Sequence, residues 1–140
     1  MRVTVHVDGG SRGNPGPAAA AAVVSTPAGD VIDEASVSLG EATNNVAEYQ
    51  GLILGLERAR ALGATEVDVI NDSELVAHQI NGKYRVKHPQ MKPLYLKAMD
   101  IMREFEKWSI RSVPRAQNED ADRLVNETLD VLRIETKNSS

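Results

Sequence analysis

The sequence predicts an α/β domain built on a mixed β-sheet with helices packed against it. Three observations predict this. The first forty residues alternate apolar and polar positions and break at glycine- and proline-rich turns, as antiparallel strands do. From Thr43 onward, helical periods alternate with short β-branched runs, the pattern of parallel strands joined by helical crossovers. A length of 140 residues, with 41% hydrophobic and 26% charged side chains, suits one domain with its own core.

Taken in order, residues 2–8 (RVTVHVD) set Val3, Val5 and Val7 on one face and Thr4 and His6 on the other, which is a strand. The segments AAAAAVVST (18–26) and GDVIDEASVSLG (29–40) flank the turn residues Thr26 to Gly29, so a three-stranded meander is expected. Propensity alone would make the alanine run helical. Pro17 and the second turn bound it too tightly for that, and small side chains let a helix lie close to a sheet. The next segment, TNNVAEYQGLILGLERARALGA (43–64), is a long helix with apolar residues on nearly all sides of its middle, hence buried. Thr43 or Asn44 is its N-cap and Gly63 its stop. EVDVIN (66–71) is a short strand, and SELVAHQING (73–82) a short helix ended by Asn81-Gly82. The basic segment KYRVKHPQMK follows as a loop. KPLYLKAMDIMREFEK (92–107) is an amphipathic helix with Leu94, Ala98, Ile101, Met102 and Phe105 near one stripe. WSIRSVP (108–114) alternates as a strand, and NEDADRLVNETLDVL (118–132) is a last helix capped by Asn118. Residues 1–133 therefore read as one domain, and 134–140 as a flexible tail or the start of a linker.

Composition excludes several classes. The chain has no cysteine, so disulfides and thiolate metal sites are out. Its longest apolar run, Ala18 to Val24, is too short to span a membrane, and Asp8 interrupts the N-terminus before a signal-peptide core could form. A cytoplasmic protein without membrane partners is expected. The net charge of −4 argues against nucleic-acid binding by bulk attraction. Yet Lys83, Arg85, Lys87, His88 and Lys92 lie within ten residues. That cluster reads as a solvated loop, or as the basic patch of a phosphate-handling enzyme whose metals are held by carboxylates.

The stretch HVDGGSRGNPGP (6–17) follows a strand with far more turn chemistry than a hairpin needs, and opens on a carboxylate. Asp8 closes the first strand and Asp72 the strand EVDVIN, while Glu48 and Asp122 lie near the starts of helices. Each has an ordinary explanation: an Asp-Gly turn for Asp8, a helix cap for Asp72, complements to helix dipoles for Glu48 and Asp122. In an α/β sheet, however, all four project to the edge where ligands bind. Converging carboxylates repel unless protonated or bridged by cations. Hard oxygen donors suit magnesium, with manganese as a substitute, and two such ions about 4 Å apart would clamp the attacking and leaving oxygens of a phosphodiester. Competing constellations are absent: no nucleophile elbow, no P-loop ending, no dinucleotide glycine spacing, and no metal-ligand spacing for His6, His78 or His88.

The blocks VDGGSRGNPGPAAAAAVV, TNNVAEYQGLILGLERA, VINDSELVAHQINGKY and QNEDADRLVNE, in this order and spacing, resemble the signature blocks of ribonuclease HI. The resemblance implies an RNase H-like five-stranded mixed sheet of order 3-2-1-4-5 with helices on both faces. It also implies metal-dependent hydrolysis of the RNA strand of RNA–DNA hybrids, leaving 5′-phosphate and 3′-hydroxyl ends. Asp8, Glu48, Asp72 and Asp122 match the family's metal-binding, catalytic carboxylates, and Glu48 also matches its contact to the 2′-hydroxyl. Gly9, Gly10 and Ser11 open the loop that resembles the minor-groove loop, where missing side chains let the backbone approach the RNA sugars. Asn14, Asn44 and Asn45 match polar residues reaching into that groove; helix capping is the ordinary reading of the latter pair. Thr43 matches a contact to a DNA-strand phosphate.

Three departures stand out. The loop VPRAQNED holds no histidine where many relatives have one that serves product release or proton transfer, and Arg115 is the nearest catalytic candidate. A short loop with arginine is similar to the archaeal-type subgroup, which also occurs in bacteria. The basic handle helix is missing, leaving only Lys83, Arg85, Lys87 and their neighbours to bind substrate. Glu41 stands where some relatives carry a phosphate-binding cation. The expectation is a monomeric hybrid-cutting ribonuclease; a nuclease that also cuts double-stranded RNA and a non-catalytic nucleic-acid-binding module are the alternatives. Some bacterial relatives fuse such a domain to a C-terminal phosphatase-like domain, which the polar tail would suit.

Overall fold

The computed structural model describes residues 1–138, with side chains through Arg133. Strands β1 (Arg2–Ser11), β2 (Gly16–Ser25) and β3 (Val31–Ala42) lead into helix α1 (Asn44–Ala61) and strand β4 (Glu66–Asn71). Helices α2 (Glu74–Ile80) and α3 (Lys92–Met102), strand β5 (Lys107–Ser112), a 3-10 turn at Arg115–Gln117 and helix α4 (Glu119–Asn138) complete the chain. The sheet order is β3-β2-β1-β4-β5, with the first three strands antiparallel and β4 and β5 parallel to β1. The expected order and the mixed sheet are both present.

Strand alternation divides the molecule into layers. Val3, Val5 and Val7 of β1, with Val67, Val69 and Ile110, face the larger core beneath α1, α2 and α3. Tyr49, Leu52 and Leu56 of α1 are fully buried there, each apolar side chain contributing about 1.5–3 kcal/mol. On the opposite face a smaller core joins Ala19 and Ala21 to Val125 and Leu129 of α4. The alanine run is thus a strand buried on both sides, and its short side chains let a helix approach from each.

Between α1 and β1 the approach is closer still. A Cβ on Gly51 would overlap the Asp8 carbonyl, one on Gly9 the Ala47 carbonyl, and one on Gly55 would press on Val5 and Val7. The helix lies directly on the strand because neither carries a side chain at those positions. Gly63 and Gly82, with φ of +82° and +79°, take the left-handed backbone that ends α1 and α2, as expected.

The differences are local. β1 and β2 extend into the glycine-rich segment, so the connecting loop shrinks to residues 12–15, and Gly9, Gly10 and Ser11 are strand residues. Helix α3 stops at Met102, short of the expected Lys107, because Phe105 turns into the core and the chain must reverse for Lys107 to pair with Glu66. Asn118 does not cap α4 with its side chain: its Nδ2 donates to the Val7 carbonyl at 2.9 Å, tying the helix start to β1. Helix α4 runs on through Asn138, within the stretch expected as a tail; residues 139–140 of that expectation lie outside the described residues.

Candidate active site

Four elements each bring one carboxylate to a single cleft of about 380 Å³: Asp8 from β1, Glu48 from α1, Asp72 just after β4, and Asp122 from α4. The structure removes three of their ordinary explanations. Asp8 makes no turn; it pairs with Ala21 inside the sheet. Asp72 is not a cap, because Ser73 caps α2 by accepting from the Val76 N–H at 3.2 Å. Glu48 lies past the first turn of α1, which contains no acid. Asp122 alone keeps its part in the dipole of α4, in whose first turn it sits.

Electrostatics at the cleft match four crowded acids. Burial first, then the charges of Asp72 and Asp122, push the Asp8 carboxyl up to about 8. Burial also raises Asp72 and Glu48 above the usual carboxylate range; for Glu48 the nearby Ser73 hydroxyl and the Asn44 amide pull the other way. Asn44 donates from Nδ2 to Glu48 Oε1 at 2.8 Å, while Glu48 Oε2 is buried with no partner. Arg115 directs Nε and Nη2 onto Asp122 Oδ1 at 3.1 and 2.9 Å. Among the described residues no group of acids or histidines is closed into a cation cage as it stands. The residues nevertheless fit a divalent ion: hard oxygen donors, a buried carboxylate oxygen without a donor, and a carboxyl that must otherwise keep its proton.

The remaining expected residues divide into three groups. Gly9, Gly10, Ser11, Asn44 and Arg115 line the same cleft. The absent side chain of Gly9 is already required by the contact with α1, so Gly10, whose nearest neighbours are Val125 and Asn44, is the glycine that leaves room for a ligand. Asn14 adjoins, its Oδ1 accepting from the Asn44 N–H at 3.1 Å. Thr43 is the N-cap of α1, which removes the capping explanation for Asn44 and Asn45, and it lines a neighbouring groove with Glu41, Gln50 and Gln90. Asn45 is exposed. The third group lies apart from the acids: Arg85 lines a separate pocket with Tyr84, Lys92 and Tyr95, and Lys83 and Lys87 are exposed in the loop. Arg12, Val125, Asn126 and Leu129 also line the acidic cleft and were not expected. Helical spacing from Asp122 would have pointed to Val125, Asn126 and Leu129; Arg12 stood in the opening loop without a partner to suggest its place.

A family model described as reverse transcriptase-like matches residues 6–128. The chain is 50% identical over 131 residues to the bifunctional protein Rv2228c of Mycobacterium tuberculosis, covering 93% of this chain but 36% of that protein. It is 43% identical over 129 residues to ribonuclease HI of Halobacterium salinarum, covering 92% of this chain and 65% of that one. Among solved structures, the N-terminal RNase H domain of Rv2228c matches with a TM-score of 0.94 at 47% identity, covering 97% of this chain and 99% of that one. RNase H1 of Halobacterium salinarum matches at 0.91 and 42% identity, covering 93% and 98%. LC11-RNase H1, isolated from compost and solved in complex with an RNA/DNA hybrid, matches at 0.85 and 41% identity, covering 89% and 94%.

Proposed function

The chain belongs to the ribonuclease HI family, and from that premise we propose that it is an endoribonuclease hydrolysing the RNA strand of RNA–DNA hybrids with two divalent ions. The observation that carries the reading is the convergence of Asp8, Glu48, Asp72 and Asp122, from four separate elements, on one polar cleft. When bound, magnesium or manganese supplies the Lewis acidity that activates water and stabilises the leaving 3′ oxygen. Breaking the P–O3′ bond leaves a 5′-phosphate and a 3′-hydroxyl.

The chain's own residues do the rest. The four carboxylates hold the ions and give up the proton that Asp8 retains in their absence. Glu48, steadied by Asn44, presents an acceptor to the ribose 2′-hydroxyl, which DNA lacks. Gly10 and the backbone through Ser11 admit the RNA strand, and Asn14 and Asn44 read its minor groove. Thr43 and the groove beside it take the DNA strand, with Lys83, Arg85 and Lys87 adding exposed positive charge farther along. Arg115 holds a phosphate or leaving group without exchanging protons near neutral pH.

A substrate panel tests this: hybrid, RNA duplex and DNA duplex, each with and without magnesium. Magnesium-dependent cutting confined to the RNA of the hybrid is expected. Comparable cutting of the DNA duplex overturns the 2′-hydroxyl reading, cutting of the RNA duplex makes this a broader nuclease, and cutting of nothing leaves a binding module. No described helix is long and apolar enough to cross a membrane, and we place the activity in the cytoplasm, in a monomeric domain. Rv2228c is bifunctional, and this chain spans 36% of it. That supports a second domain beyond this one; we propose that it is phosphatase-like, which the complete reading frame would reveal.

A further inference from the structure

Two cations line the acidic cleft, Arg12 and Arg115. Arg12 is engaged by Asp130 at 2.7 Å. Arg115 instead turns inward and places both Nε and Nη2 on one oxygen, Oδ1 of Asp122. Its side chain is 71% exposed while that of Asp122 is 25% exposed. An arginine so accessible to water gains little from such a pair and can leave it easily. It is also the first residue of the 3-10 turn Arg115–Gln117, which delivers the chain to α4. One delocalised guanidinium charge meets one of four carboxyl groups, and leaves Glu48 Oε2 without any partner.

We propose that Arg115 stands in for a divalent cation at Asp122 and is displaced from that carboxylate when the ion binds. The inference rests on the metal-dependent reading above. Before the ion arrives, the guanidinium screens Asp122 from its neighbours and so sets a threshold that a cation must exceed. Afterwards the same guanidinium stands free at the rim of the cleft, next to a newly neutralised site, placed to meet a phosphate. Arg115 is then a positioning residue for the metal as well as a contact for nucleic acid.

The competing possibility is that Arg115 merely orients Asp122, and the two predict opposite signs. Manganese binding to the nucleic-acid-free protein is measured by calorimetry for the wild type, Arg115→Ala, Arg115→Gln and Arg115→Lys. Displacement predicts that Ala and Gln bind manganese about three- to ten-fold more tightly, the effect of removing one nearby unit charge at a solvated site. Lys, which keeps the charge, should stay within about two-fold of wild type. In the cleavage assay, the magnesium concentration for half-maximal rate should fall in Arg115→Ala even as kcat falls. Weaker or unchanged manganese binding in Ala and Gln overturns the proposal while leaving the ribonuclease reading intact. A wild type that binds no manganese overturns both. Because the residue is exposed, circular dichroism of each variant should match wild type, and agreement between Ala and Gln guards against a folding artefact.

Discussion

Asp8 carries much of the site's response to pH. Its folded pKa of about 8 lies above the ordinary 3.8, so the folded state holds this proton more tightly than the unfolded chain does. The sign follows: this group's contribution to stability is full below about pH 4, is lost as pH rises, and levels off above about 8. Metal-free wild type should therefore lose Tm between pH 5 and 8, by about 3 °C for each kcal/mol. Asp8→Asn should flatten that slope, and magnesium should raise Tm more at pH 8 than at pH 5; thermal melts at both pH values decide it. Asp72→Asn tests the ligand role directly. Cleavage should fall by about 10²-fold or more, while metal-free Tm at pH 8 rises because one of the mutually repelling acids is gone. Wild-type activity would remove Asp72 from the site. At this scale the convergence of the four acids was legible because each was expected near a strand end or a helix start, although Asp8 lies inside β1 and Glu48 past the first turn of α1. What sequence could not separate were their ordinary explanations, since only coordinates show that Ser73 caps α2 and that Asp8 pairs with Ala21.

Among the elements, the contact of α1 with β1 sets the distance between Glu48 and Asp8. Gly51 is where the helix meets the Asp8 carbonyl, so Gly51→Ala must lift α1 from the strand. The expected cost is about 1–3 kcal/mol of stability, with kcat falling further than in a remote core variant of similar stability such as Ile101→Val. Chemical denaturation and single-turnover rates of the two variants provide the comparison; equal kcat would show that the spacing is not limiting. The strands and crossovers were readable because alternation and helical periodicity are local signals. The end of α3 was not, because Phe105 leaves the helix for a core contact and Lys107 for a strand partner. Asn118 was misread for the same reason: as a cap it would be local, but its bond is to Val7, 111 residues away.

Across the whole molecule, charge is segregated. No acid occurs between Glu74 and Asp100 in a chain with 20 of them, and Lys83, Arg85, Lys87 and Lys92 fall in that interval. Neutralising these four should raise KM more than it lowers kcat, and should reduce the salt slope of binding by up to about three units at 0.7–0.9 per lost phosphate contact. An unchanged slope, from titrations at several salt concentrations, returns the segment to a solvated loop. The unequal cores have a further consequence, in the order in which the protein assembles. The first three acids belong to the layer closed by α1, α2 and α3, whose core is extensive, whereas Asp122 rides on α4, which closes the smaller one around Ala19 and Ala21. Amides of α4 should then exchange with solvent faster than those of α1, as in a part that opens without global unfolding. A chain emerging from the ribosome would fold most of its interior before residue 122 could dock, and would stay inert toward RNA until its last helix was in place.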